Sequence, residues 1–341
     1  MYVSSQQSVF SPAETVISNT VSLPSKVTLS IVTTLYSSEK YIDEFYVRAS
    51  KAANTITNNY EIIFVDDGSP DKSLQIAKGL FEKDNRVSVI QLSRNFGHHR
   101  AILAGLARTH GEYVFLVDCD LEEPPELLLE FWKEMAKDKE IDIVFGIQEK
   151  RKGDWFESIV GGWFWKIFSY LTDNKILENQ IIARLMNRSY VDNLVLFDEA
   201  DPMLSGISCL NGFNRKTVLV NKGHKRETTY DLRKKISVTV KAIASFSAKP
   251  LIMIFYLGSI IMIASMLYVS KLIYDKLVFG CSIEGWVSIA ASIWFLGGLI
   301  LFCLGVIGIY LAMIFNQVKN RPLTIVRQEF RHSEFKINET S

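Results

Sequence analysis

YVFLVDCDLEEPPE, residues Tyr113–Glu126, is an apolar run that stops at a cluster of acids. Tyr113 to Val117 has the length and the β-branched and aromatic content of a buried strand, and Pro124 and Pro125 prevent that strand from continuing. Asp118 and Asp120 therefore sit at a strand's carboxyl end. In an open α/β sheet that edge is where ligands bind, and two carboxylates one residue apart can hold a hard divalent cation while substrate phosphates complete its shell. A solvated acidic turn is the rival reading of a lone D-x-D, so the neighbouring segments must decide. Cys119, between the aspartates, is expected to pack inward as a small apolar residue.

Upstream, strands and helices alternate. Val27–Thr33 reads as a strand closed by Ser37, Ser38 and Glu39, from which a helix runs towards Asn58. Tyr60–Val65 is a second strand ending in Asp66-Asp67-Gly68-Ser69-Pro70-Asp71, a turn that also suits the start of a helix over Lys72–Asp84. Val87–Leu92 is a third strand, and Gly97–His110 a helix leading back into the opening stretch. This alternation predicts a parallel, doubly wound sheet. Three strand ends then converge on one crevice: Thr34 to Tyr36, Asp66 with Asp67, and Asp118 with Asp120. No G-x-G-x-x-G follows any strand and no G-x-x-x-x-G-K-[ST] loop occurs, which argues against a dinucleotide or P-loop site.

The net charge of +1 over 341 residues gives no sign of a nucleic-acid partner. The charge is unevenly spread, since Leu251–Ser270 and Gly285–Phe315 contain no Asp, Glu, Lys or Arg. Each is long enough for a bilayer core, which needs roughly 20 apolar residues, and two transmembrane helices are expected. The Ser- and Thr-rich start lacks a signal-peptide pattern and is expected to be a flexible leader. Arg233, Lys234, Lys235, Lys241 and Lys249 before the first span, with Lys319 and Arg321 after the second, put both termini and the large N-terminal domain on the cytoplasmic side. The four cysteines have neither zinc spacing nor the pattern of an intrachain disulfide framework. Gly297, Gly298, Gly305 and Gly308 permit close helix packing, and with it a homo-oligomer.

The ordered blocks SIVTTLY (30–36), VDDGSPD (65–71), LSRNFGHHRAILAG (92–105) and VDCDLEEPPELL (117–128), with the closing YLAMIFNQVKNRP (310–322), resemble the GT-A glycosyltransferases of family 2. Within that family they are most similar to the polyprenyl-phosphate glycosyltransferases, the dolichyl-phosphate mannose synthase and bactoprenol glucosyltransferase group. The resemblance implies a GT-A nucleotide-sugar-binding domain over 27–231, after the leader 1–26. A juxtamembrane amphipathic helix over 232–249, a two-helix transmembrane domain over 250–316 and a cytoplasmic tail over 317–341 complete the expected organisation. It also implies a bacterial inner-membrane enzyme that moves a sugar from UDP or GDP to a polyprenyl phosphate with inversion.

Carried over by position, the resemblance makes Thr34, Leu35, Tyr36, Asp67 and Asp118 nucleotide-binding. Asp118, Asp120 and Arg184 become the catalytic set, with Mg²⁺ or Mn²⁺ on Asp118 and Asp120; Glu122, which stands where the family commonly has Gln, is either a further metal ligand or an extra repulsion. Arg94, Arg151 and Arg188 are candidates for the acceptor phosphate, with a structural turn as the rival for Arg94 and solvation for Arg151. His98 and His99 could meet phosphate at a helix start, with capping or simple exposure as the other reading. The aromatic run from Trp155 to Leu171 reads either as an interfacial helix or as packing on the catalytic domain. Ile182 and Thr229 stand where the family has an acid and a lysine. Asp198, Glu199, Asp201, Lys225 or Arg226 could supply the missing charges; the alternative is a catalytically weakened relative that binds lipid-linked sugar or a partner subunit.

Overall fold

The computed structural model describes residues 27–148, 180–197, 199, 202, 204–220, 247, 249–279 and 285–332. The leader, Arg151, the aromatic run, Thr229 and most of the expected juxtamembrane helix lie outside the described residues. The chain enters at β1 (Leu29–Leu35) and continues through α1 (Ile42–Ile56), β2 (Tyr60–Asp66), α2 (Ser73–Lys83), β3 (Val87–Leu92), α3 (His98–Leu106) and β4 (Tyr113–Leu116). These strands lie side by side as β4-β1-β2-β3, all parallel, as the alternation of patterns predicts.

Beyond β4 the sheet departs from a purely parallel, doubly wound arrangement. After α4 (Leu127–Lys137) and β5 (Ile143–Gln148), strand β6 (Gln180–Asn187) inserts antiparallel between β4 and β5. Two short helices follow, α5 (Arg188–Leu194) and α6 (Leu204–Leu210), and then β7 (Arg215–Val220), parallel to β5. Two long helices, α7 (Lys249–Phe279) and α8 (Trp286–Val318), precede β8 (Val326–Phe330), which pairs antiparallel with β3. The result is one mixed eight-stranded sheet in the order β7-β5-β6-β4-β1-β2-β3-β8. Residues 326–330, expected to lie in a tail, are thus a strand of that sheet. Period-two alternation marks a strand but says nothing about its partner or direction, and both antiparallel strands are set by distant pairing.

Helices cover both faces, so β2 is buried along its whole length and its two faces feed separate cores. Ile62 and Phe64 point into one core with Phe45 of α1 and Phe131 of α4; Ile63 and Val65 point into the other with Ile102 and Leu106 of α3. Edge-to-face contacts of Phe45 with Phe64 and Phe115 with Phe131, centroids 6.0 and 6.2 Å apart, fix the first layer, each worth about 0.5–1.5 kcal/mol beyond simple burial. In the second layer Gly105 lets α3 press onto the sheet, since a Cβ there would fall 2.7 Å from Val32 and 2.8 Å from Val65. Cys119 is buried in the first core, as its place in the strand pattern predicts, and burial raises its thiol pKa.

Phe295–Val318 of α8 is long and apolar enough to cross a membrane. Among the described residues it is the one segment that passes on both counts; α7 holds a shorter apolar stretch, Lys249–Ile261, and carries Lys271, Asp275 and Lys276 in its later turns. Large side chains such as Phe255, Tyr256, Phe295, Phe302 and Leu311 are exposed along both helices. Seven residues separate the end of α8 from β8, a reach of at most about 25–30 Å. Because β8 runs antiparallel to β3, Ser93 N–H donates to the Ile325 carbonyl at 2.9 Å, and the chain enters the sheet at its carboxyl edge.

Candidate active site

The carboxyl ends of β1, β2 and β4 lie beside one another, and the crevice is built from the turns that leave them. After β1 the chain bends through Ser37 at φ +56°, leaving Tyr36 exposed and Leu35 fully buried. The Leu35 carbonyl accepts from Asp67 N–H at 3.0 Å and from Ser69 Oγ at 3.1 Å, which ties the first strand end to the second. Asp71 completes the tie by accepting from Ser73 Oγ at 2.6 Å and from Glu39 N–H at 3.1 Å. Burial pushes its carboxyl up, yet these bonds outweigh burial and hold its pKa below the ordinary value.

Asp67 does something its sequence position does not reveal. Its carboxylate accepts from the N–H groups of Phe96 at 2.7 Å and Gly97 at 3.0 Å, fastening the β3–α3 loop over the end of β2. Burial nevertheless raises its pKa, because the two N–H bonds and the nearby His98 offset the desolvation only in part. Asp66 is raised in the same sense by burial, against bonds from Ser69 and Gly68. Gly68 makes the loop's approach possible: it sits at φ +68°, and a Cβ would lie 2.7 Å from the backbone of Arg94 and Asn95. Arg94 itself turns outward, its guanidinium 4.2 Å over the Phe96 ring and donating to the Asn95 carbonyl.

His98, the first residue of α3, is delivered by that loop into the middle of the crevice. Its Nδ1 lies 3.1 Å from Thr34 Oγ1 and its Nε2 lies 3.4 Å from Asp118 Oδ1. Desolvation lowers its pKa, against the carboxylates of Asp67 and Glu123, with Arg184 adding to the lowering, although 41% of the side chain reaches solvent. The next ring, His99, is driven down to about 4 by burial and by its neighbours His98 and Arg184, and its buried Nδ1 has no hydrogen-bond partner among the described residues.

The acidic turn after β4 divides its carboxylates by task. Asp118 is partly buried, facing His98, and Asp120 is exposed. Leu121 takes φ +61°, which brings the Glu122 N–H 3.0 Å from Asp120 Oδ1. Glu123 is fully buried and accepts from the N–H groups of Ile182 at 3.2 Å and Ala183 at 2.6 Å, clamping the start of β6 to the turn. The carboxylate nearest Ile182 is therefore Glu123, a residue that the sequence reading passed over within a run of acids and prolines. Its burial and its hold on the β6 N–H groups set it apart from Glu122.

Arg184 is also buried, at 2% exposure, with its guanidinium donating to the carbonyls of Ile182 at 3.0 Å and Ile181 at 3.3 Å and approaching Ser208 Oγ at 3.4 Å. Burial lowers its pKa while Glu123 and Asp118 oppose the shift. It thus braces β6 from within, its charge still felt at His98 and Asp118. Arg188 lies away from the crevice: antiparallel β6 carries it to the amino edge, where it donates to the Thr109 carbonyl at 2.8 Å and to Thr109 Oγ1 at 2.9 Å. Of the expected acceptor-phosphate arginines, Arg94 is exposed and turned outward onto Phe96, Arg188 is on the far edge, and Arg151 lies outside the described residues.

Among the described residues no three His, Cys, Asp or Glu side chains are gathered as a metal cage, so Glu122 does not complete a trio with Asp118 and Asp120. The donor chemistry that remains, two hard carboxylates on one turn, fits a cation that takes most of its shell from water and phosphate. What the fold and site define is an α/β ligand-binding domain whose carboxylate-lined strand ends are joined to an apolar helical region.

A family model for glycosyl transferase family 2 matches residues 30–193. The chain is 45% identical over 300 residues to a Mycobacterium tuberculosis protein described among the glycosyltransferases, covering 88% of this chain and 87% of that one. It is 32% identical over 309 residues to the SfII prophage-derived bactoprenol glucosyl transferase of Shigella flexneri, covering 89% and 98%. Against the prophage bactoprenol glucosyl transferase homolog of Escherichia coli K12 the identity is 30% over 308 residues, covering 88% and 98%. The chain belongs to glycosyl transferase family 2.

Proposed function

We propose that this glycosyltransferase is anchored in the membrane by α7 and α8 and moves a sugar from a UDP- or GDP-linked donor to a polyprenyl phosphate on the cytoplasmic face. The observation that carries the reading is the route of the chain. A membrane-length apolar helix feeds within seven residues into the carboxyl edge of the sheet, the edge that holds Thr34, Asp67, Asp118 and Asp120. A crevice so tethered would work close to the lipid headgroups, where a water-soluble donor meets a lipid phosphate. The names of the bactoprenol glucosyl transferase relatives support the same acceptor class.

In this reading Thr34 and Tyr36 line the donor nucleotide and Asp67 keeps the β3–α3 loop closed over it, whereas Leu35, expected beside them, is buried in the core with its carbonyl held by Asp67 and Ser69 and does not face the donor. Asp118 and Asp120 would hold Mg²⁺ or Mn²⁺ against the donor diphosphate. When bound, the cation supplies charge neutralisation for the departing nucleoside diphosphate. The acceptor is itself ionised at neutral pH, so positioning two anions matters more than a strong general base. Arg94 and, from outside the described residues, Arg151 are the cations best suited to the second anion. Inversion is the stereochemical outcome of a direct displacement at the anomeric carbon.

Full-length protein in detergent, incubated with polyprenyl phosphate, Mn²⁺ and radiolabelled UDP- and GDP-sugars, should move label into the organic-extractable lipid. Absence of labelled lipid with every donor, while nucleotide-sugar binding persists, would point to a binding relative without turnover and overturn the proposal.

A further inference from the structure

Thr34 and Asp118 come from different strands, β1 and the turn after β4, and one side chain spans them. His98 has a ring nitrogen on each, at 3.1 Å to Thr34 Oγ1 and 3.4 Å to Asp118 Oδ1. A neutral imidazole carries one proton. If Nε2 bears it, the ring donates to the acceptor-only carboxylate of Asp118 and its Nδ1 accepts the hydroxyl proton of Thr34. The opposite tautomer would set two lone pairs against each other at Asp118.

The ring's placement is itself built. Asp67 holds the N–H groups of Phe96 and Gly97, Gly97 adopts φ +100° immediately before the helix, and Gly68 leaves room for the Arg94–Asn95 backbone. Arg184, whose charge is felt at the ring, is locked to the carbonyls of Ile181 and Ile182. The turn after β2 and the β3–α3 loop therefore together fix a side chain that, read from the sequence, could pass for a capping residue.

We infer that His98 is a positioning residue of the donor site, which ties the Thr34 side chain to the Asp118 carboxylate and aligns that carboxylate for the cation on the donor diphosphate. This rests on the metal-assisted sugar transfer proposed above. Carboxylates that bind a metal depend on such partners, whose loss typically costs about 10–100-fold in metal affinity.

The test uses full-length protein in detergent and reads Mn²⁺ binding by electron paramagnetic resonance in the presence of UDP and of GDP, alongside sugar transfer and thermal unfolding. His98→Ala should weaken nucleotide-dependent Mn²⁺ binding about 10–100-fold and raise the Mn²⁺ concentration needed for half-maximal transfer. His98→Gln, whose amide can donate to Asp118 and accept from Thr34, should recover most of both. Asp118→Ala separates this inference from the reading beneath it. Mn²⁺–nucleotide binding that survives Asp118→Ala overturns the site assignment and this inference with it. Binding lost in Asp118→Ala but unchanged in His98→Ala overturns the role of His98 alone. Equal losses in His98→Ala and His98→Gln would also overturn it, since the ring's bulk rather than its hydrogen bonds would then be what matters. Should His98→Ala fail to fold, His98→Gln against His98→Leu makes the same comparison.

Discussion

Strand β2 carries buried carboxylates at both ends, and the two ends treat charge in opposite ways. At the amino end Glu61 is fully buried and accepts from Ser30 Oγ at 2.6 Å, His110 N–H at 2.7 Å and His110 Nδ1 at 3.3 Å. Burial pushes its pKa up, but these bonds overcome it and the net shift is downward. At the carboxyl end Asp66 and Asp67 are just as hidden from solvent, yet burial wins and both are raised. One end is a completed network that holds strands together. The other keeps incompletely compensated negative charge beside a crevice, the condition in which a cation or a ligand N–H group gains most from binding.

The contrast can be broken most sharply at the acidic turn. Asp120→Ala should lower sugar transfer by at least ~100-fold while leaving the thermal unfolding temperature unchanged, read by product formation at saturating donor. Glu61→Ala should do the reverse: about 3 kcal/mol lost in stability by denaturant unfolding, with transfer per folded molecule unaffected. Gly68→Ala tests the link between fold and site. Forcing a side chain onto positive φ against the Arg94–Asn95 backbone should cost about 1–3 kcal/mol and weaken donor binding, measured by calorimetric titration.

Acidity separates the ends with a smaller effect. A lowered folded pKa means that Glu61 contributes stability above the ordinary glutamate range, lost as pH falls through its folded value. The raised pKa values of Asp66 and Asp67 act in the opposite sense, contributing at low pH and losing that contribution as pH rises through them. Glu61→Gln should therefore flatten the acid limb of a stability-versus-pH profile. The smallest change is expected at Arg331, which reaches His110 Nε2 at 3.2 Å and the Arg108 carbonyl at 2.8 Å. Arg331→Ala should cost about 1 kcal/mol and loosen β8, seen as faster amide exchange in Val326–Phe330.

The parallel half of the sheet was readable because each strand is a short apolar run between turn residues. The expected strand at Val87–Leu92 matches β3, and the one at Tyr60–Val65 falls one residue short of β2. Strands β6 and β8 were not readable as part of this sheet, since their places depend on pairing with distant segments. At the site, the placing of Asp118 and Asp120 at a strand's carboxyl end was visible in the sequence, whereas the contacts of Glu123 and His98 were not. Acidic neighbours 122 and 123 look alike until one is found clamping the N–H groups of β6. His98 looks like an ordinary helix-start residue until Asp67 is seen to place the loop before it.

Strand β8 also has a bearing on how the molecule is made. Translation produces β3 long before β8, with both apolar helices in between, so the outer edge of β3 must wait unpaired while the helices emerge. An open strand edge invites pairing with other chains. Pairing of β8 with β3 therefore follows the making of both apolar helices, and a chain stalled before that step would hold a largely formed sheet with one seam still open.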